Sequence, residues 1–293
     1  MKMPTNLYDY YQYWNEFVRE WQDYHTANSR SALNIGVKYD KKWTIPQNMY
    51  GSNKPDIETI QYMPEPWWGN DGTHIFQAVF LNLNPGNGGD EQNINYIKNC
   101  SINSYQSYVS DKVDTFVNNK EFKVYVNNKY QKSTTEWLLL QRVKPFFNAL
   151  EFESFTVRNT LGIDLIPWHT PSFNQITKEY IKKNANAIFD YSIKFALTAS
   201  REIDGIFRNV VIARVPYQLF IEILRLSNGI QMVESYMYYE KGKNEILILK
   251  YNGEQFYIMV LSGARNNLPS KQKIQAMQQL IEKEKNNITN NNN

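Results

Sequence analysis

Three near-continuous apolar runs constrain the fold of this chain more than any other feature. They are IFQAVFLNLN at residues 75–84, LGIDLI at 161–166 and NVVIARV at 209–215. The runs lack the three- to four-residue period of a helix, and segments that have this period separate them, which is typical of strands covered on both faces. The sequence therefore predicts an α/β fold with three αβα layers and a mainly parallel central sheet.

Segments with helical periodicity are predicted to cover this sheet. An N-terminal helix over residues 6–24 carries an aromatic stripe at three- and four-residue spacing, formed by Tyr11, Trp14, Phe17, Val18 and Trp21, which predicts docking onto the core. Ser133 and Glu136 form a capping box at the start of the next predicted helix. The predicted helices after the first span 133–150, 176–203, 217–227 and 269–285.

The rest of the chain predicts an added hairpin, a strand-rich region and two irregular segments. A short hairpin is expected around residues 122–130, and strands at 231–239, 245–251 and 255–263 are separated by tight turns. Residues 62–72 are predicted as an extended loop whose two adjacent tryptophans must be buried or used. We predict one α/β domain over residues 1–285, with a helix and an irregular wrap in 1–60, and a disordered tail at 286–293.

Composition excludes several classes of site. The net charge of +3, from 32 basic and 29 acidic residues, permits an anionic partner without requiring one. Cys100 is the only cysteine, which excludes an internal disulfide, a Cys-ligated iron–sulfur cluster and a CxxC zinc site, and three histidines do not predict a metal site. No cofactor and no membrane partner are expected. The chain is predicted to be cytoplasmic because it has neither a secretory signal pattern nor a long apolar span; its oligomeric state is not indicated.

Ligands of open α/β sheets bind beyond the carboxyl ends of the strands, which directs attention to the loops at 82–92, 166–174 and 262–270. The first loop holds Asn84, Pro85 and Gly86 but no GxGxxG and no Lys-Ser/Thr after its glycines, so it does not predict a phosphate cradle. The amide of Asn84 is suited to orienting a water or a base edge. An alternative is that Asn84 only caps the turn or the next helix.

Four segments in this order resemble the uracil-DNA glycosylase superfamily. LNLNPG at 81–86 is similar to the first active-site motif of the branches that carry Asn-Pro-Gly. MPEPWWGN at 63–70, IPWHTPSF at 166–173 and LSGARNNLPS at 261–270 extend the similarity to a bacterial subgroup of that superfamily, over about residues 60–285. The resemblance implies the uracil-DNA-glycosylase-like fold, a DNA or nucleobase partner and hydrolysis of an N-glycosidic bond.

The resemblance also implies roles for individual residues. Asn84 would hold the hydrolytic water against the sugar C1′, with Pro85 and Gly86 shaping the backbone. The family's second motif carries a His that stabilises the departing base, and this His is missing here. Arg265 is the residue that would replace it, and Leu268 would act as a wedge. The remaining substrate-binding candidates in this loop are Asn266 and Asn267.

Three further candidates each have two interpretations. His169 is either a catalytic or base-reading residue or a structural imidazole. Trp168 either stacks on an extruded base or belongs to the core. Arg214, at the end of the third apolar run, either approaches a phosphate or pairs with a neighbouring acid.

These observations leave three hypotheses for function. The first is a glycosylase-like protein that binds DNA or a nucleobase and hydrolyses an N-glycosidic bond, with Asn84, His169 and Arg265 as catalytic candidates. The second is a binding module for nucleic acid, nucleotide or protein with the same fold and no catalysis, favoured by the missing His and the lack of an acidic residue assigned to activate water. The third is an unrelated hydrolase or transferase that uses His169.

Overall fold

The computed structural model describes residues 4–26, 64–73, 75, 77–83, 104–110, 123–126, 129–132, 144–150, 157–167, 178–227, 231–237, 244–261 and 270–291. The strands are β1 (Trp67–Gly69), β2 (Ala78–Asn82), β3 (Lys123–Val126), β4 (Lys129–Lys132), β5 (Thr160–Asp164), β6 (Val210–Arg214), β7 (Gln231–Met237), β8 (Asn244–Tyr251) and β9 (Glu254–Leu261). Each of the three apolar runs contains a strand, and the predicted hairpin is formed by β3 and β4.

Helices connect and cover these strands. They are α1 (Leu7–Thr26), α2 (Lys144–Ala149), α3 (Lys178–Ile188), α4 (Lys194–Arg201), α5 (Tyr217–Leu226) and α6 (Lys271–Asn291), with a helical segment at residues 105–110. A five-residue π-helical segment, Phe189–Ile193, joins α3 to α4. The capping box at Ser133 lies outside the described residues, and α2 starts with Pro145 in its first turn, where a proline is tolerated.

The main sheet has seven described strands in the order β1-β5-β2-β6-β9-β8-β7. Strands β5, β2, β6 and β9 are parallel to one another, whereas β1 and β8 run antiparallel to their neighbours. The prediction of a mixed α/β fold with a mainly parallel sheet is confirmed. Strand β9 belongs to the parallel group because it pairs with β6, so the antiparallel strands of the C-terminal third continue the central sheet.

Side-chain alternation places helices on both faces of this sheet. Trp67, Ile163 and Leu81 form one row across β1, β5 and β2, and Phe80 belongs to the next row, which faces the opposite side. Phe80 contacts the rings of Phe146 and Phe147 on α2. Trp67 contacts α1 through Tyr11, which packs in turn on α4. Thus α2 lies on one face of the sheet, and α1 and α4 lie on the other.

The aromatic stripe of α1 docks onto the core as predicted. Tyr11, Trp14, Phe17 and Val18 are buried. Beside them, the ring of Tyr13 stacks on Tyr191, with centroids 4.2 Å apart. The side chain of Trp21 lies outside the described part.

Two segments predicted as irregular contain regular structure among the described residues. Trp67 and Trp68 lie in strand β1 rather than in a loop, and both are buried. The last helix continues to Asn291, into the predicted tail, because adding a residue to an existing helix costs far less than starting one. The predicted wrap lies mostly outside the described residues.

A two-residue turn, Asn252–Gly253, connects β8 to β9. Tyr251 pairs with Glu254 across this turn. Both turn residues have positive φ, 51° for Asn252 and 80° for Gly253. This is the backbone of a type I′ hairpin, which Asn-Gly adopts readily, and it confirms the tight turn expected there.

Candidate functional site

The strand order creates a switch point between β2 and β6. The chain passes from β2 to β5 on one side, returns past β2 to β6, and later reaches β9 on the other side. Strand β5, which follows β2, therefore lies on one side of the β2–β6 pair, and β9, the next parallel strand after β6, lies on the other side. In open α/β sheets a ligand crevice forms outside the carboxyl ends of two such strands.

Most of the predicted site residues lie outside the described part of the chain. These are Asn84, Pro85, Gly86, Trp168, His169, Arg265, Asn266, Asn267 and Leu268. Each nevertheless follows a described strand closely in the sequence, since β2 ends at Asn82, β5 at Asp164 and β9 at Leu261. The roles suggested for these residues stay predictions.

Arg214 is the predicted site residue that the structure describes. It is the last residue of β6, is half-buried, and pairs in register with Asn82 on β2. Arg214 is therefore at the switch point, in the position expected from the sequence. Whether it approaches a phosphate or pairs with an acid stays open.

Two buried polar side chains end neighbouring parallel strands beside Arg214. Asn82 on β2 pairs in register with Asp164 on β5, and their side chains share one face of the sheet. Only 6% of Asn82 and 2% of Asp164 are exposed. Among the residues that the structure describes, Asn82 Nδ2 and Asp164 Oδ1 have no hydrogen-bond partner. A buried polar atom without a partner costs about 1–3 kcal/mol, so these atoms are candidates for contact with a ligand.

Glu65 is a second buried acid at the same edge of the sheet. The backbone N–H of Glu65 donates to the carbonyl of Pro167 at 2.9 Å, and that of Asp164 donates to the carbonyl of Pro66 at 2.9 Å. These bonds hold the segment before β1 against the end of β5. The Tyr108 hydroxyl donates to Glu65 Oε1 at 3.0 Å, from the helical segment at 105–110.

The two carboxyl groups and the neighbouring phenols affect one another electrostatically. Burial raises the pKa of Asp164 well above its usual range, and the charge of Glu65 raises it further. Burial also raises the pKa of Tyr105, as do Glu65 and Asp164, whereas its hydrogen bond to the Trp67 carbonyl opposes this shift. A protonated Asp164 both donates and accepts hydrogen bonds, unlike a carboxylate.

Sequence reasoning assigned no role to Glu65 and Asp164. Glu65 stands in the Pro-Glu-Pro segment, and Asp164 interrupts an apolar strand near its end. An acid in an apolar strand at a carboxyl end is a signal for a buried functional carboxyl. Two buried acids therefore lie at the carboxyl end of β5, where the sequence analysis assigned none.

Comparison of this chain with protein-family models, with curated proteins and with solved structures gives no significant match. In the segments that the structure describes, no helix combines the length and apolar character needed to cross a membrane. The same segments contain no group of three or more His, Cys, Asp or Glu side chains arranged to hold a metal ion.

Proposed function

We propose that this protein binds a nucleobase, free or within DNA, at the carboxyl ends of β2 and β5 and hydrolyses its N-glycosidic bond. The observation that carries the proposal is a pair of buried atoms, Asn82 Nδ2 and Asp164 Oδ1, that have no hydrogen-bond partner among the described residues. Asn82 lies two residues before Asn84-Pro85-Gly86 in the chain. The parallel strands β5, β2, β6 and β9 also support the proposal, because the superfamily that the sequence resembles has a four-stranded parallel sheet.

The chemistry of these atoms suits the edge of a base. Nucleobase edges carry N–H donors beside oxygen and nitrogen acceptors. The Asn82 amide supplies a donor, and a protonated Asp164 supplies a donor and an acceptor. The two strands are about 4.8 Å apart, so both side chains lie within reach of one planar ring. Binding a base would give these groups the hydrogen bonds that no described residue supplies.

In the proposed reaction the bond between the base and the sugar carbon breaks, the base leaves as an anion, and water attacks the sugar carbon. The proton that the water loses then neutralises the departed base. Asn84 orients this water, and Arg265 stabilises the leaving base through charge-assisted hydrogen bonds. A protonated Asp164 strengthens the stabilisation by donating to an atom of the base on which negative charge develops. When the base lies within DNA, extruding it costs a few kcal/mol. Leu268 acts as the wedge between neighbouring bases.

The test is the release of bases from oligonucleotides that contain uracil, hypoxanthine or another modified base, measured as alkali-labile strand breaks. We expect Asn84→Ala to reduce the rate about 10²- to 10³-fold, because one oriented group is typically worth about 3–4 kcal/mol of barrier. Asn287→Ala is the matched control, since Asn287 is an exposed residue of α6 and this change should leave the rate unaltered.

The outcomes separate catalysis from binding. A rate that is undiminished in Asn84→Ala would contradict the assigned role of this residue. Binding of the oligonucleotide without strand breaks, even with stoichiometric protein, would favour the non-catalytic module on the same fold. A protein that binds neither the oligonucleotides nor the free bases would overturn the proposal.

A further inference from the structure

The two adjacent tryptophans of β1 lie on opposite faces of the sheet. Trp67 pairs with Ile163 on β5 and belongs to the face that α1 and α4 cover. Trp68 pairs with Gly162, the next residue back along β5, so it belongs to the other face. Gly162 and Asp164 are two residues apart on one strand, and their side-chain positions share a face. Trp68 is therefore on the same side of the sheet as Asp164.

Gly162 allows the indole of Trp68 to lie against β5. A Cβ added at Gly162 would overlap Trp68 Cε2, so the ring occupies the space that any other side chain would fill. Because Cε2 is bonded to Nε1, the N–H group of the indole also lies over β5. The Cα atoms of Gly162 and Asp164 are separated by two residues, about 6–7 Å along the strand. Trp68 thus extends from β1 to within about one ring width of Asp164.

The indole N–H of Trp68 has no acceptor among the described residues. Trp68 is 6% exposed, and its Nε1 is buried without a hydrogen-bond partner there. The residues beside Gly162 on this face of β5 are Thr160 and Asp164, and neither accepts this hydrogen. A buried donor without an acceptor lowers stability, which makes this N–H a candidate for contact with a ligand.

Three buried polar atoms of this kind share one face of three neighbouring strands. They are Trp68 Nε1 on β1, Asp164 Oδ1 on β5 and Asn82 Nδ2 on β2. Neighbouring strands are about 4.8 Å apart, and the indole covers part of the distance from β1. An indole N–H can only donate, as can the amide nitrogen of Asn82. A ligand that satisfies all three groups must therefore carry acceptors at two separate points.

We propose that Trp68 is a specificity-determining residue whose indole N–H donates to an acceptor atom of the ligand bound at the ends of β2 and β5. The inference rests on the proposed function and adds a third strand, β1, to the binding site. Trp68 favours a carbonyl oxygen or an unprotonated ring nitrogen at its contact point, and it disfavours an amino group or a ring N–H there. Trp67 has a buried Nε1 that also has no described partner, but this atom belongs to the opposite face.

The experiment follows the indole N–H signals of the full chain by nitrogen-15 NMR. Spectra are recorded without ligand and with free uracil, free hypoxanthine and oligonucleotides that contain either base. The Trp68 signal is assigned through its backbone in the wild type. We expect the Trp68 proton to move downfield when a ligand binds, because its N–H then gains an acceptor. The Trp67 signal is the internal control and should stay close to its position in the free protein.

Equilibrium dialysis with the same ligands measures the contribution of Trp68 to affinity. Trp68→Phe keeps an aromatic ring and removes the N–H, which leaves the ligand acceptor buried and unpaired. We expect it to weaken binding at least about fivefold. Trp67→Phe is the matched control, since it makes the same change on the opposite face and should leave affinity unaltered.

The outcomes distinguish this inference from the proposed function. A ligand that binds without moving the Trp68 signal would overturn the inference and leave the proposed function in place, as would a Trp68→Phe variant that binds as tightly as the wild type. If Trp68→Phe fails to fold, the wild-type signal decides. A Trp68 shift with no base release would support the inference and contradict catalysis. A wild type that binds none of the ligands would overturn both.

Discussion

Asp164 and Asp190 are both aspartates and are equally buried, but their surroundings differ. Each is 2% exposed. Asp190 lies in the π-helical segment, where its Oδ1 is 2.5 Å from Lys194 Nζ. That ammonium also lies over the rings of Phe189 and Tyr251, 5.0 and 5.6 Å from their centroids. Asp164 has an oxygen to which no described residue makes a hydrogen bond, and its electrostatic neighbour is an acid, Glu65.

The difference indicates what each acid contributes. A buried carboxylate with a cation beside it forms a closed arrangement that needs no ligand. A buried carboxyl with an oxygen that no described residue bonds, at the carboxyl end of a parallel strand, lowers stability until something binds there. We therefore assign Asp190 a structural contribution and Asp164 a functional one, and variants of the two test this assignment.

The largest effect is expected for Asp190→Asn. This change leaves the Lys194 ammonium in a nearly buried position without its counter-ion, which typically costs about 3–5 kcal/mol in the free energy of unfolding. Urea denaturation followed by circular dichroism measures the loss. In the control, Asp190→Asn combined with Lys194→Met removes both charges and should recover most of the stability. A single variant as stable as the wild type would contradict the structural assignment.

Asp164→Asn is expected to act on the pH dependence of stability. Since the pKa of Asp164 is raised in the folded chain, the folded state holds a proton that the unfolded state releases above an ordinary pKa of 3.8. This contribution is complete below that pH and is lost as pH rises through the folded pKa, with a slope of at most about 1.4 kcal/mol per pH unit. The free energy of unfolding of Asp164→Asn should therefore fall less steeply with rising pH than that of the wild type. The variant should be more stable than the wild type at neutral pH.

Urea denaturation at a series of pH values measures this slope. Asp204→Asn is the matched control, because Asp204 is exposed and its replacement should retain the wild-type slope. If Asp164→Asn keeps the wild-type slope, Asp164 does not take up a proton on folding, and the contrast with Asp190 disappears.

The smallest effect is expected for an exposed ion pair. Arg201 Nε lies 3.4 Å from Glu254 Oε2, and the two side chains are 39% and 46% exposed. Pairs of this kind typically contribute about 0–1 kcal/mol and weaken with added salt. Arg201→Gln should change the free energy of unfolding by less than about 1 kcal/mol. A loss of stability in Arg201→Gln as large as that in Asp190→Asn would mean that burial does not explain why the Asp190–Lys194 pair contributes more than the Arg201–Glu254 pair.

Local pattern was sufficient to predict most of the elements. The apolar runs of β2, β5 and β6 and the aromatic stripe of α1 reflect burial at periods of two and 3.6 residues, which the sequence records directly. The turn at Asn252–Gly253 was predictable because Asn-Gly supports two positive φ angles. Long-range pairing is not recorded in this way, so the position of β9 next to β6 could not be read from either segment alone.

The site was less predictable because its described residues come from distant parts of the chain. Register brings Asn82 to Asp164 and to Arg214, and backbone hydrogen bonds bring Glu65 to the same edge. Arg214 was predicted because it ends an apolar strand in the sequence. Glu65 was overlooked because its neighbours are prolines and tryptophans, and its burial depends on β1 pairing with β5.

The two-residue turn between β8 and β9 fixes how these two strands align. Such a turn admits one alignment, so β8 and β9 are paired from Tyr251–Glu254 at one end to Asn244–Leu261 at the other. Lengthening the turn by one residue would shift the register of β8 against β9 or introduce a bulge into one of them. Because β9 is also held by its pairing with β6, the shift would fall on β8 and on its pairing with β7. Two residues thereby set how the antiparallel edge of the sheet aligns with its parallel centre.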